Sequence, residues 1–172
     1  MKHRQHFEQW VPVALERVFL FFANPGSLPR IMPPASGAEL VRVNLIPPAG
    51  VNAKATITGQ QPLAGAGSEI VAAVRIVPFL PFKAPWIALI TEFEWNHHFS
   101  DVQKKGPFKS FHHRHEFAAE VRNGISGTLV RDVIEYEAGF GVFGEIAQKL
   151  FVARQLQKIF DYRQKTLEKL LN

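Results

Sequence analysis

The sequence contains no cysteine, so neither disulfides nor thiolate metal sites hold its fold together, and a reducing compartment suits it. It also lacks any uninterrupted apolar run near the roughly 18 residues of a membrane-spanning helix. The nearest stretch, Ile70 to Ile90, is broken by Arg75, Lys83 and prolines at 78, 81 and 85. It reads as two strands with a stiff connection. No apolar run follows the basic N-terminal residues Met1 to His6. The expectation is therefore a cytoplasmic protein with no signal peptide and no integral membrane association.

Catalytic signatures are equally sparse. There is no G-x-S-x-G elbow, no H-E-x-x-H pair and no thiol nucleophile. Gly139, Gly141 and Gly144 match G-x-G-x-x-G in spacing, but they follow an antiparallel strand rather than opening a βαβ unit. No dinucleotide is expected there, and the glycines serve a tight entry into the following helix. The net charge is +5 with a pI near 9.7, yet the basic residues are scattered. Lys149, Arg154, Lys158, Arg163, Lys165 and Lys169 share one helix with Glu145, Asp161 and Glu168, which reads as a solvated face. Neither a nucleic-acid partner nor a cofactor is expected.

What is present is globular: 172 residues, 47% of them hydrophobic and 20% charged, enough for one domain over residues 1–172 with a full core. His6 to Val11 alternates as a first strand. Pro12 suits a first helical position, and Leu15, Val18, Phe19 and Phe22 give the helix to Ala23 its apolar stripe. Asn24-Pro25-Gly26 stops it, and residues 27–31 form a second short helix. Strands are expected at Leu40–Ile46, at Ala55–Thr58, over 67–77, over Trp86–Phe99 with odd positions inward, over 109–121 and over 127–137. Asn123-Gly124 marks a hairpin. Asp101 and Gln103 are expected in a loop before Gly106-Pro107. A helix from Glu145 to Leu171 closes the chain.

Four segments carry a family resemblance. Phe99-Ser100-Asp101-Val102-Gln103-Lys104-Lys105-Gly106-Pro107-Phe108 is similar to an F-x-D-x-Q-x-x-G-P-F segment, and His113-Arg114-His115-Glu116-Phe117 to the H-x-H-x-F that follows it. Residues 127–136 resemble a G-T-x-x-x-D-x-V-x-Y strand, and Ile159-Phe160-Asp161-Tyr162-Arg163 a mid-helix I-F-x-Y-R. Together with the element order, they resemble the START-like (helix-grip, SRPBCC) superfamily, which includes polyketide cyclase/dehydrase-like proteins, in a mostly bacterial branch. The resemblance implies an α+β helix-grip fold: a curved seven-stranded antiparallel sheet around a long C-terminal helix, with two short helices after strand 1. It also implies an internal pocket for a hydrophobic ligand, but no established catalytic residues.

Read onto that fold, the inward positions assign a pocket to Phe93, Trp95, His97, Phe111, His113, His115, Phe117, Val130, Asp132, Ile134 and Tyr136 of the sheet. Leu150, Ala153 and Leu156 face it from the helix. A two-residue turn at Asn123-Gly124 pairs Arg122 with Ile125 and so sets His115 opposite Asp132. A two-residue slip would change the partner but keep the face. The plain reading is a satisfied, buried histidine–carboxylate pair. A second is a ligand-orienting or acid–base pair, His115 and Asp132, of the kind a cyclase or dehydratase uses. The third is a metal site, for which the sequence shows no third ligand, so none is expected. The expected function is to bind or carry a small hydrophobic or amphipathic molecule, such as a lipid, polyketide or aromatic metabolite. The alternatives are that enzyme, or an interaction module using the basic helix or the proline-rich apolar loop on a protein partner.

Overall fold

The alternating segments become strands, and turns placed between them decide which faces meet. The computed structural model describes residues 1–49, 62–75, 81–138 and 151–171. In chain order they form β1 (Lys2–Val11), α1 (Leu15–Ala23), a 3-10 turn (Pro25–Ser27), α2 (Leu28–Ile31), a second 3-10 turn (Pro34–Ser36), β2 (Glu39–Asn44) and β3 (Glu69–Val74). There follow β4 (Ala84–Glu94), β5 (His98–Lys105), β6 (Phe108–Arg122), β7 (Ile125–Ala138) and α3 (Ala153–Leu171). The strands make one curved antiparallel sheet in the order β1-β7-β6-β5-β4-β3-β2. This is the helix-grip fold. The expected strand at 55–58, the glycine loop at 139–144, Phe79 and Leu80 of the proline-rich connection and the start of the last helix, with Leu150, lie outside the described residues.

Seven strands are found, but not the same seven. The single strand expected over Trp86–Phe99 is two, β4 and β5, joined by the turn Trp95-Asn96-His97. Asn96 adopts φ 57°, a left-handed conformation that asparagine tolerates better than most residues. The loop holds three residues and sets Glu94 opposite His98. An odd loop of this kind preserves side-chain parity, so the alternation runs through the turn unbroken and hides it. A second irregularity, between Ile90 and Glu92, reverses the face within β4. Ala88 and Ile90 are therefore the buried residues before it, instead of the odd positions 87, 89 and 91.

The first helix also starts later than Pro12. Val13 donates its N–H back to Val11 O at 2.8 Å, and its own carbonyl accepts the buried Thr128 hydroxyl at 2.7 Å, which anchors the segment to β1 and β7. Beside this junction Trp10 lies across Gly127. A Cβ added there would stand 2.4 Å from Val11 O and 2.5 Å from the indole. Gly127→Ala is expected to cost about 1–3 kcal/mol through overpacking, measured by urea denaturation; an unchanged midpoint would show that Trp10 swings aside freely.

The core has two parts. In one, α1 drives Val18 and Phe19 against Phe99, Phe117 and Val130, with Leu167 and Leu171 of α3. In the other, Phe7, Phe111, Ile134 and Tyr136 meet Leu156 and Phe160; the Phe7 and Phe160 rings stack at 4.0 Å. The buried stripe of α3 runs Leu156, Phe160, Arg163, Leu167, Leu171, which is helical spacing with one charged member. No described helix is long and apolar enough to cross a membrane.

Candidate functional site

Three adjacent strands and α3 bring together a group of charged and imidazole side chains in the interior. The hairpin register is as the two-residue turn requires, with Arg122 opposite Ile125 and His115 opposite Asp132. On the other side of β6, His113 lies opposite Asp101. Asp101 is thus an inward residue of β5 rather than a loop residue, continuing the parity of Phe99. Arg163 stands one helical turn beyond Phe160, is 8% exposed and enters from α3.

Asp132 is the hub. Its Oδ1 lies 3.0 Å from His113 Nε2, 2.5 Å from His115 Nδ1 and 3.5 Å from Arg163. Burial opposes charge on this carboxyl, but Arg163, His115 and the hydrogen bonds from both imidazoles outweigh it and hold Asp132 well below the usual carboxylate range. Burial lowers Arg163 from its ordinary value, and the guanidinium lies against the Phe22 and Phe160 rings at 4.6 and 5.1 Å, a cation–π arrangement. Burial, with His113 as the next cause, pushes His115 down to about 3. His115 is therefore neutral at physiological pH.

One nitrogen cannot both donate to a carboxylate and accept from a guanidinium. The shorter contact assigns the Nδ1 proton of His115 to Asp132, and Arg163, 3.4 Å from the same nitrogen, addresses the carboxylate. The far ring atom of His115, Nε2, then carries a lone pair, and it and His113 Nδ1 each lie 3.9 Å from Asp101 Oδ1. Asp101 has no hydrogen bond among the described residues. Burial raises its pKa, against the pull of His113, His112 and Arg163.

This group opens on a cavity of about 280 Å³ between the sheet and the helices. Ala72, Ala88, Ile90 and Phe99 line it from the sheet, and Phe22, Ile31, Leu156 and Phe160 from the helices, with Asp101, His113, His115 and Arg163 in the same wall. Of the pocket residues expected from the sequence, Phe111, His113, His115, Ile134 and Leu156 line it. Asp132 sits behind the histidines, Phe117 and Val130 belong to the first core cluster, and Tyr136 to the second. Phe93 and Trp95 pack edge-on against Phe19. Ala153 is half-buried, and its carbonyl faces Gln5 Nε2 at 3.5 Å. His97 is in the exposed β4–β5 turn beside Glu94, outside the cavity, because the strand expected to carry it inward ends at Glu94. Asp101 and Arg163 were not among the expected residues, although the parity of Phe99 and the 156-160-163-167 spacing both point inward. Arg163, expected on a solvated face, is instead buried against Asp132.

The sequence matches no protein-family model and no curated protein, while solved structures resemble it along almost its whole length. TTHA0849 of Thermus thermophilus superposes with a TM-score of 0.62 at 18% identity, covering 97% of this chain and 95% of that one. A START superfamily protein of Mycobacterium smegmatis gives 0.61 at 15%, covering 99% and 96%. Norcoclaurine synthase of Thalictrum flavum, a point mutant in complex with a transition-state analogue, gives 0.59 at 14%, covering 98% and 96%. These likenesses establish a START/SRPBCC-like fold.

Proposed function

We propose that the protein binds a small hydrophobic or amphipathic molecule, of the size and character of a lipid chain, polyketide or aromatic metabolite, in the cavity between the sheet and its helices. The observation that carries this reading is the cavity itself: about 280 Å³, near the lower end of the ~300–1,000 Å³ usual for ligand pockets. Its walls are mostly apolar, with Asp101, His113, His115 and Arg163 grouped in one of them and Arg75 and Gln155 elsewhere in the lining, so a ligand gains burial from its body and orientation from its polar groups.

Proton-transfer chemistry of the cyclase or dehydratase kind has weaker support. A general base works best with a pKa near the operating pH, whereas His115 is held at about 3 and its Nδ1 proton is committed to Asp132.

The test is native mass spectrometry of the protein purified from its own host, before and after denaturation and extraction. The expected result is a specific co-purifying small molecule. Ala72 is 2% exposed and lines the cavity, so a folded Ala72→Phe protein, its ring occupying the space, is expected to lose that molecule by tenfold or more. Equal loading of the two proteins would place the molecule elsewhere and overturn the reading.

A further inference from the structure

Asp101, His113 and His115 form a ligand set that the cavity alone does not explain. Their ligating atoms all lie within 4.8 Å of one another. His113 and His115 are only 9% and 6% exposed, and their inward nitrogens have no hydrogen-bond partner among the described residues. The Asp101 carboxylate has none either. The three side chains line one cavity and converge there, so a single cation entering through it would meet an imidazole nitrogen from each histidine and the Asp101 carboxylate together.

We propose that Asp101 Oδ1, His113 Nδ1 and His115 Nε2 bind a divalent first-row transition-metal ion, with its remaining coordination positions open to the cavity. Two imidazoles and one carboxylate suit zinc or ferrous iron rather than magnesium or calcium, which take oxygen ligands. Asp132 serves as the outer partner: it takes the distal N–H of each histidine, which fixes both rings and directs their lone pairs at Asp101. The charges are compatible. Arg163 is paired with Asp132 on the far side of the imidazoles, so a dication between two neutral histidines and Asp101 leaves the group one positive charge. Metal bonds of about 2.1 Å in a tetrahedral site place ligand atoms about 3.4 Å from one another. The 3.9 Å separations from Asp101 therefore close by about half an ångström, with no hydrogen bond holding the carboxylate back, and the set as a whole, within 4.8 Å, contracts around the ion. The proposal is independent of whether an apolar molecule fills the rest of the cavity.

The experiment is titration of chelator-stripped full-length protein with Co²⁺ as a visible-absorbing probe, followed by displacement with Zn²⁺. The expected result is one Co²⁺ per chain, with ligand-field bands that Zn²⁺ abolishes. Asp101→Asn removes the anionic ligand and nothing that is hydrogen-bonded; it is expected to weaken Co²⁺ by at least tenfold, while its melting temperature in chelator stays that of the parent. His97→Ala controls for the exposed Glu94, His97 and His98 group, the other set of side chains close enough to hold an ion among the described residues, and is expected to leave affinity unchanged. Paramagnetic shifts in the unaltered protein need no variant: the ring protons of His113 and His115 should move, and those of His97 and His98 should not. No Co²⁺ uptake, equal affinity in Asp101→Asn, or shifts confined to the turn histidines would each overturn the proposal.

Discussion

Arg163→Met is expected to destabilise the protein by about 3–5 kcal/mol, the cost of leaving a buried charge without its partner. Methionine keeps the apolar stem against Phe22 and Phe160 but removes the only guanidinium within reach of Asp132 among the described residues. Asp132 is then a buried anion held by its contacts with His113 and His115 alone. Chemical denaturation of the parent, Arg163→Met, Asp132→Asn and the double variant closes a cycle. The double variant should be more stable than the sum of the single losses allows, because neither orphaned charge remains. A single-variant cost below about 1 kcal/mol would mean that the two N–H donors suffice for Asp132. Arg163→Lys is not a conservative control, since an ammonium lacks the planar face that lies on the two rings.

Phe19→Ala should cost about as much, roughly 3–5 kcal/mol, for a different reason. Phe19 is 0% exposed and meets four rings edge-on, Phe93, Trp95, Phe99 and Phe117, at centroid distances of 5.1 to 6.1 Å. These rings come from the β4–β5 turn and from three strands, so none can advance into the space without dragging its backbone, and the void stays open. Urea denaturation reads the effect directly. A loss near ~1.5 kcal/mol, well under the usual aromatic truncation cost, would indicate that half-buried Trp95 closes over the gap. Phe19 and Arg163 belong to different neighbourhoods, one in the aromatic cluster and the other at the Asp132 hub, so their effects should add.

The fold was legible in the sequence wherever patterning was long and the turn chemistry was explicit. Asn123-Gly124 alone set the register of β6 against β7 and with it the pairing of His115 and Asp132. Legibility failed where two structures share one pattern. The turn at residues 95–97 preserves side-chain parity, so a strand, a turn and another strand looked like one strand, and His97 was assigned to the interior. The same error displaced Asp101: with no turn before Phe99, the segment after it had to be loop. Arg163 was missed because charge was weighed above spacing. Its position on the stripe of Leu156, Phe160 and Leu167 marked it as inward, and an inward arginine implies a buried anion to meet it. The proximity of Asp101 to both histidines could not be read at all, since it depends on how three strands align side by side.

The order of the sheet has a consequence for how the chain is made. β1 precedes every other described strand in the chain, yet its only neighbour among the described strands is β7, the last of them to be synthesised. Through that interval Phe7, Trp10 and Val11 have no strand beside them, and pairings between distant segments form slowly because the loop must close before any contact rewards it. The β6–β7 hairpin is the local, early-closing unit, and β1 is recruited to its free edge at the end. β1 is thus made before the other described strands and is among the last to be folded, and a chain with β1 still unpaired is the species that nascent-chain chaperones would meet.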